Sequence, residues 1–160
     1  MRARPAILLL LLAALLCPGA CKRAHSPSAA DSPSSLRTLE YQVGLPTAEA
    51  ADFWTVHLTE GGLLTVSRQA AGAVSLRSSH FLSDEETATV WKLIDQAKLD
   101  SLAAAELSPN EQAIQFSLQQ SDRTTAARLS PAAVAANPAL LALQTELRRL
   151  VEYYSKHALP

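Results

Sequence analysis

Cysteine is nearly absent from this sequence. The two cysteines, Cys17 and Cys21, both lie before residue 22 of a chain of 160 residues. The long remainder therefore has no disulfide, no cysteine metal ligand and no thiol nucleophile. Aromatic residues are scarce too, at 5% of the chain. The folded part must be stabilised by burial of aliphatic side chains, which a single domain of about 125 residues is large enough to achieve.

Positive charge is not in excess either. Fourteen Lys and Arg residues stand against 15 Asp and Glu. Without residues 1–20, which contain Arg2 and Arg4, 12 basic residues remain against 15 acidic ones, a net charge of −3. The one adjacent basic pair beyond residue 36, Arg148 and Arg149, fits a solvated helix face. We therefore expect no nucleic-acid binding, which requires a clustered basic surface.

The longest apolar run is too short to span a membrane. It covers residues 6–16, eleven residues of Ala, Ile and Leu, whereas a membrane-spanning helix needs about 20. Arg2 and Arg4 precede it. A charged head before a short apolar segment is typical of a secretory signal peptide, which we place at residues 1–20.

Small residues end this segment just before a cysteine, in the order Gly19, Ala20, Cys21. The arrangement resembles the lipobox of bacterial lipoproteins, although Pro18 stands where that family usually has leucine. The resemblance implies that Cys21 carries the lipid, palmitate included, and becomes the first mature residue. It also implies an outer-membrane anchor facing the periplasm, because no Asp follows Cys21. The alternative is ordinary cleavage after Ala20 or near Ala30, which releases a soluble protein.

A polar segment follows the cysteine. Residues 22–35 are rich in Ser, Pro and Ala and show no apolar periodicity, so residues 21–35 are interpreted as the lipidated cysteine and a flexible tether. Residues 36–160 then form one domain, held about 20 Å from the membrane surface by a coil of that length. Lys22 and Arg23 would lie near the lipid headgroups.

Period-two alternation dominates the first half of this domain. It predicts strands at residues 36–43, 53–59, 63–69 and 74–79, with the third strand reached through the turn at Gly61 and Gly62. A loop or single helical turn is expected at residues 47–52. A second hairpin is predicted further on, with strands at residues 114–118 and 124–129, closed by Ser130 and Pro131.

Two helices complete the pattern. Ser83 and Glu86 form a capping box that starts a helix ending near Leu99, and Asn137 with Pro138 starts the last helix. An irregular connection is expected at residues 100–110. The predicted fold is α+β, an antiparallel sheet of five or six strands with two helices packed on one face, in the order βββ(β)-α-ββ-α. Trp54 and Trp91 fall on the apolar faces and are expected in the core.

The polar residues do not form a recognisable catalytic or metal site. The four histidines, His25, His57, His80 and His157, lack the spacing of a zinc site, so no metal or cofactor is expected. Ser79 and His80 are candidates for a nucleophile and base, but neighbouring residues on a strand face opposite ways and would not meet. His80 is assigned to the loop before the first helix, and the acids at residues 84–86 to an ordinary helix start.

One surface remains as a candidate for binding, the sheet face opposite the helices. Alternation places these residues on it: Phe53, Thr55, His57, Thr65, Ser67, Arg77, Gln115 and Ser117. We take Thr55, His57 and Arg77 as its candidate binding residues. Arg77 is also expected beside Ser75 and Ser79.

The sequence favours a non-enzymatic, lipid-anchored binding or accessory module of the cell envelope, with the membrane and an envelope protein as partners. Two alternatives stay open. One is a small envelope hydrolase, and the other is an inhibitor of an external enzyme. No motif identifies a ligand or an oligomeric state.

Replacing Cys21 with serine tests the lipoprotein interpretation. Cys21→Ser is expected to abolish incorporation of radiolabelled palmitate, because no other cysteine stands where the lipid would be attached. The matched control is Cys17→Ser, which should leave labelling intact. Equal labelling of the Cys21→Ser chain would contradict the interpretation.

Overall fold

The described structure, a computed structural model, covers residues 36–45, 52–102, 107 and 112–160. The proposed signal peptide, Cys21, the tether and the loop at residues 47–51 lie outside it, as does most of the connection at 100–110. The strands are β1 (Arg37–Leu45), β2 (Asp52–Thr59), β3 (Leu63–Ala70), β4 (Ala73–Phe81), β5 (Ala113–Gln120) and β6 (Arg123–Leu129). The helices are α1 (Asp84–Ala97), α2 (Pro131–Ala136) and α3 (Pro138–Ser155), with a short 3-10 turn at Leu99–Ser101.

The six strands form one antiparallel sheet in the order β4-β3-β2-β1-β5-β6. This confirms the α+β class and the predicted order of strands and helices. Hairpins connect neighbouring strands throughout, except that β5 returns beside β1 after α1. Because β1 is the central strand between β2 and β5, its alternation decides which sheet face is buried.

One face, here called the inner face, carries the core. Leu39, Tyr41 and Val43 of β1 are at most 1% exposed, and the α1 and α3 stripes join them in one buried cluster. The α3 stripe follows the predicted spacing, with Leu140, Leu143, Leu147 and Leu150 buried. The other, outer face carries half-buried polar side chains. The described helices therefore cover one side of the sheet only.

Both long helices begin where their capping residues predict. The Ser83 hydroxyl accepts a hydrogen bond from the Glu86 backbone N–H at 3.3 Å, and the Glu86 carboxylate accepts one from the Ser83 backbone N–H at 3.1 Å. Asn137 accepts from the N–H groups of the first turn of α3 at 3.1 and 3.2 Å. These bonds satisfy backbone donors that have no partner within a helix.

The structure corrects two local predictions. β4 continues to Phe81, so His80 lies within a strand and not in a loop. Ser130 and Pro131 do not simply close the second hairpin. The Ser130 hydroxyl caps the short helix α2, with Pro131 as its first residue. A serine followed by proline is a helix-start pattern, and α2 was missed because its six residues are too few to show a helical period.

Trp91 and Trp54 lie in the core as predicted, each 8% exposed. The Arg37 guanidinium stands 4.7 Å from the centroid of the Trp91 ring and pairs with Asp95 on the next turn of α1. Trp91 thus joins the first residue of β1 to the middle of α1.

Truncating Trp91 should be strongly destabilising. Trp91→Ala is expected to lower the free energy of unfolding by about 3–5 kcal/mol, because it removes a large buried ring and leaves a cavity. Lys92→Ala, at an exposed neighbouring position of α1, should change it by less than about 0.5 kcal/mol. Denaturant titration measures both values. A loss below about 1 kcal/mol for Trp91→Ala would show that the ring is not a core element.

Candidate functional site

The strand register brings the polar side chains of the outer face into two rows. In β2, β3 and β4, His57 lies opposite Thr65, and Thr65 opposite Ser79. The second row contains Arg77, Ser67, Thr55, Gln42 and Gln115. The candidate binding residues Thr55, His57 and Arg77 therefore share one face and lie in neighbouring rows.

Two of the three candidate residues line a common depression. Its volume is about 360 Å³, and its lining residues are His57, Thr65, Ser67, Val74 and Arg77. Thr55 lies in the adjoining row but is not among the lining residues. The depression thus lies over β2, β3 and β4, at one end of the sheet.

Val74 is a member of this site that sequence alternation did not identify. A β-bulge between Arg68 and Gln69 pairs Val74 with Gln69 and leaves Ser75 as the extra residue. The Ser75 hydroxyl donates to the Arg68 carbonyl at 3.3 Å. The outer-face neighbour of Arg77 on the side of the β3–β4 turn is therefore Val74, which is 66% exposed. The prediction that Ser75 lies beside Arg77 on this face was wrong.

Arg77 is the cationic group of the depression. Three described arginines have carboxylate partners: Arg37 pairs with Asp95, Arg68 with Asp52 at 2.6 Å and Arg149 with Glu146 at 2.7 Å. Among the described residues, no carboxylate lies within 4.0 Å of the Arg77 guanidinium, nor of Arg123 or Arg128. A guanidinium beside hydroxyl groups suits a ligand that presents carboxylate or other acceptor oxygens.

The polar side chains of the outer face are partly hydrogen-bonded to each other. Thr65 Oγ1 and Ser79 Oγ are 3.0 Å apart, and Gln42 Nε2 donates to Glu40 Oε1 at 2.9 Å. These bonds hold the side chains in place along the strands. The face is thus a polar surface with exposed apolar side chains at Val74 and Phe81.

The inner face of β4 carries a second group of polar residues. The His80 ring lies 5.5 Å from the Tyr154 ring, and the Tyr154 hydroxyl donates to Glu86 Oε2 at 2.8 Å. This bond, with those from Ser83 and Arg149, holds the pKa of the Glu86 carboxyl below its ordinary value despite partial burial. The same contact raises the pKa of Tyr154. Glu86 thus joins the start of α1 to the end of α3.

The serines of β4 and His80 do not form a nucleophile and base. Ser79 lies on the outer face and His80 on the inner face, as strand alternation predicts. Ser78 shares the inner face with His80, but Ser78 Oγ and His80 Nε2 are both buried and have no hydrogen-bond partner among the described residues. Nucleophilic catalysis by serine requires the two groups to be bonded and accessible to substrate.

The described histidines lie in separate parts of the structure. His57 is on the outer face, His80 is on the inner face of β4, and the His157 ring lies 6.0 Å from the Trp54 ring. His25 lies outside the described residues. Within the described part of the chain, no three His, Cys, Asp or Glu residues are grouped as metal ligands would be. None of the described helices has the length and apolar character that crossing a membrane requires.

Comparison with known proteins adds no assignment. No protein-family model matches the chain, and no curated protein matches it with significant similarity.

The bond between Tyr154 and Glu86 gives a prediction for pH dependence. A carboxyl whose pKa is lowered by folding stabilises the fold above its ordinary pKa of 4.5, and this contribution is lost as the pH falls through the folded value. Tyr154→Phe should therefore lower the melting midpoint at pH 7, and this difference from the unsubstituted chain should shrink below pH 4.5.

Tyr153→Phe is the matched control, since the Tyr153 ring is 60% exposed. It should leave the midpoint unchanged at every pH. Thermal melts followed by circular dichroism between pH 3 and pH 7 measure both variants. A Tyr154→Phe difference of constant size over this range would mean that the bond to the Glu86 carboxylate is not its source.

Proposed function

We propose that this protein is a lipid-anchored, non-enzymatic binding module of the bacterial cell envelope that recognises a partner protein with its outer sheet face. The observation that carries the proposal is the contrast between the two faces. Helices cover the inner face, whereas the outer face has no covering element among the described residues and contains the depression at His57 and Arg77.

Support for the anchor comes from the N-terminal sequence. The charged head, short apolar run and Gly19-Ala20-Cys21 arrangement resemble those of a lipoprotein precursor, with Pro18 in place of the usual leucine, and residues 22–35 have the composition of a tether. A tethered domain is free to turn either face toward a partner. Attachment to the outer membrane would place it in the periplasm.

Support for binding comes from the chemistry of the outer face. Arg is enriched at protein interfaces because its planar guanidinium combines packing area with several hydrogen-bond donors. In this site the guanidinium of Arg77 has no described carboxylate partner and adjoins exposed Val74. An arginine already paired with a carboxylate would have fewer free hydrogen-bond donors for a partner protein.

Site-specific photo-cross-linking tests the proposal in the envelope itself. A benzophenone amino acid replaces Thr55 on the outer face or, as the control, the exposed Gln96 on α1. The proposal predicts a discrete protein adduct from position 55 and none from position 96. Identical adducts from both positions, or none from position 55, would contradict it.

A double substitution separates binding from stability. His57→Ala with Arg77→Ala should reduce the yield of the position-55 adduct severalfold, because it removes the polar groups of the depression. It should shift the free energy of unfolding by no more than about 0.5 kcal/mol, since neither side chain belongs to the core. Lys92→Ala, at an exposed position on α1 and therefore away from the outer face, is the control. An unchanged adduct yield would exclude the depression as the contact.

A further inference from the structure

β4 lies at one edge of the sheet. It spans nine residues and hydrogen-bonds with β3 on one side. No described strand pairs with its other side. An edge strand presents a row of backbone N–H and C=O groups that can pair with another extended chain.

The strand has few of the features that usually prevent such pairing. Its sequence, AVSLRSSHF, contains no proline, no lysine and no acidic residue, and its single charge is Arg77. Val74 and Phe81 are 66% and 75% exposed. The β-bulge is confined to Ser75, so the register with β3 is regular from Leu76 to Phe81.

The opposite edge of the sheet is different. β6 is shorter, contains Arg123 and Arg128, and packs against the 3-10 turn at Leu99–Ser101. Two charges on seven residues and a neighbouring turn are ordinary protection for an edge. The contrast makes β4 the edge that is open to an added strand.

We propose that β4 accepts an extended segment of another protein as an additional strand, and that this segment carries an acidic side chain that pairs with Arg77. The inference rests on the proposed function, because it specifies the class of partner. Backbone hydrogen bonds would supply affinity, and alternate side chains of the added segment would supply selectivity.

Charge decides between a foreign segment and a second copy of this chain. Arg77 is the middle residue of Ala73–Phe81. Two copies that pair antiparallel over the full strand would place Arg77 opposite Arg77, and like charges directly opposite are destabilising. An Asp or Glu at that position is instead favourable, so an acidic partner segment is the better occupant.

The depression extends the recognition surface. Side chains on one face of the added strand would lie beside Arg77, Ser79 and Phe81 on the outer face of β4. The volume of about 360 Å³ next to Val74 and Arg77 can receive one of them. The expected segment therefore alternates, with a carboxylate in the middle and an apolar side chain on the same face four residues away, next to Phe81.

Fluorescent model peptides test this directly on the full chain. The probe has the sequence Val-Thr-Val-Thr-Glu-Thr-Val-Thr-Val, which places its valines on the same face as Glu, and its counterpart has Lys in place of Glu. Fluorescence anisotropy should show tighter binding of the Glu peptide. Arg77→Glu should weaken that binding by about five- to tenfold and reverse the preference, because it converts attraction at the central pair into repulsion.

Two further measurements make the result specific to strand addition. N-methylation of every second residue blocks one edge of a peptide strand, so only one of the two alternately methylated Glu peptides should still bind. Arg128→Glu, the same charge change on the other edge strand, should leave all affinities unchanged. Equal binding of both methylated peptides, or an equal effect of Arg128→Glu, would overturn the inference.

The proposed function can be judged separately. If the peptides fail to bind while the position-55 adduct forms in the envelope, strand addition is wrong but recognition by the outer face stands. Concentration-dependent dimers in analytical ultracentrifugation that Val74→Lys dissociates would show that a second copy occupies β4, which would also overturn the inference.

Discussion

The alternation of side chains along β1 is the constraint on which the structure depends. As the central strand, β1 contributes Leu39, Tyr41 and Val43 to the core, and Glu40 and Gln42 to the outer face. The one described buried polar residue, Gln144 of α3, donates to the Tyr41 hydroxyl at 3.0 Å. A slip of one residue would reverse both faces and break this bond. This bond and the buried apolar stripe of α3 together hold α3 against the inner face.

The sequence predicted the elements that short-range physical chemistry determines. The capping box at Ser83, the Asn137 cap and the alternation of β1, β2 and β3 all appear as expected, because each depends on residues within a few positions of one another. The placement of Thr55, His57 and Arg77 on one face follows from the same alternation. Their role in binding stays a prediction.

What the sequence did not predict depends on contacts between distant residues. His80 belongs to β4 because β3 pairs with it as far as Leu63, which no local pattern reveals. The bulge that turns Val74 onto the outer face is likewise a property of the strand pair. Arg77 was identified from its residue type, but its position at the middle of an open edge strand became visible only from the sheet order.

Backbone amide hydrogen exchange tests the central claim, which is that the partner binds the outer face and not the helix layer. The lipid-anchored protein is compared in isolated envelopes and, after purification, in detergent. Backbone amides of β4 should exchange more slowly in the envelopes, whereas those of α1 and α3 should exchange alike in both. Slower exchange confined to α1 and α3, with β4 unchanged, would contradict the account.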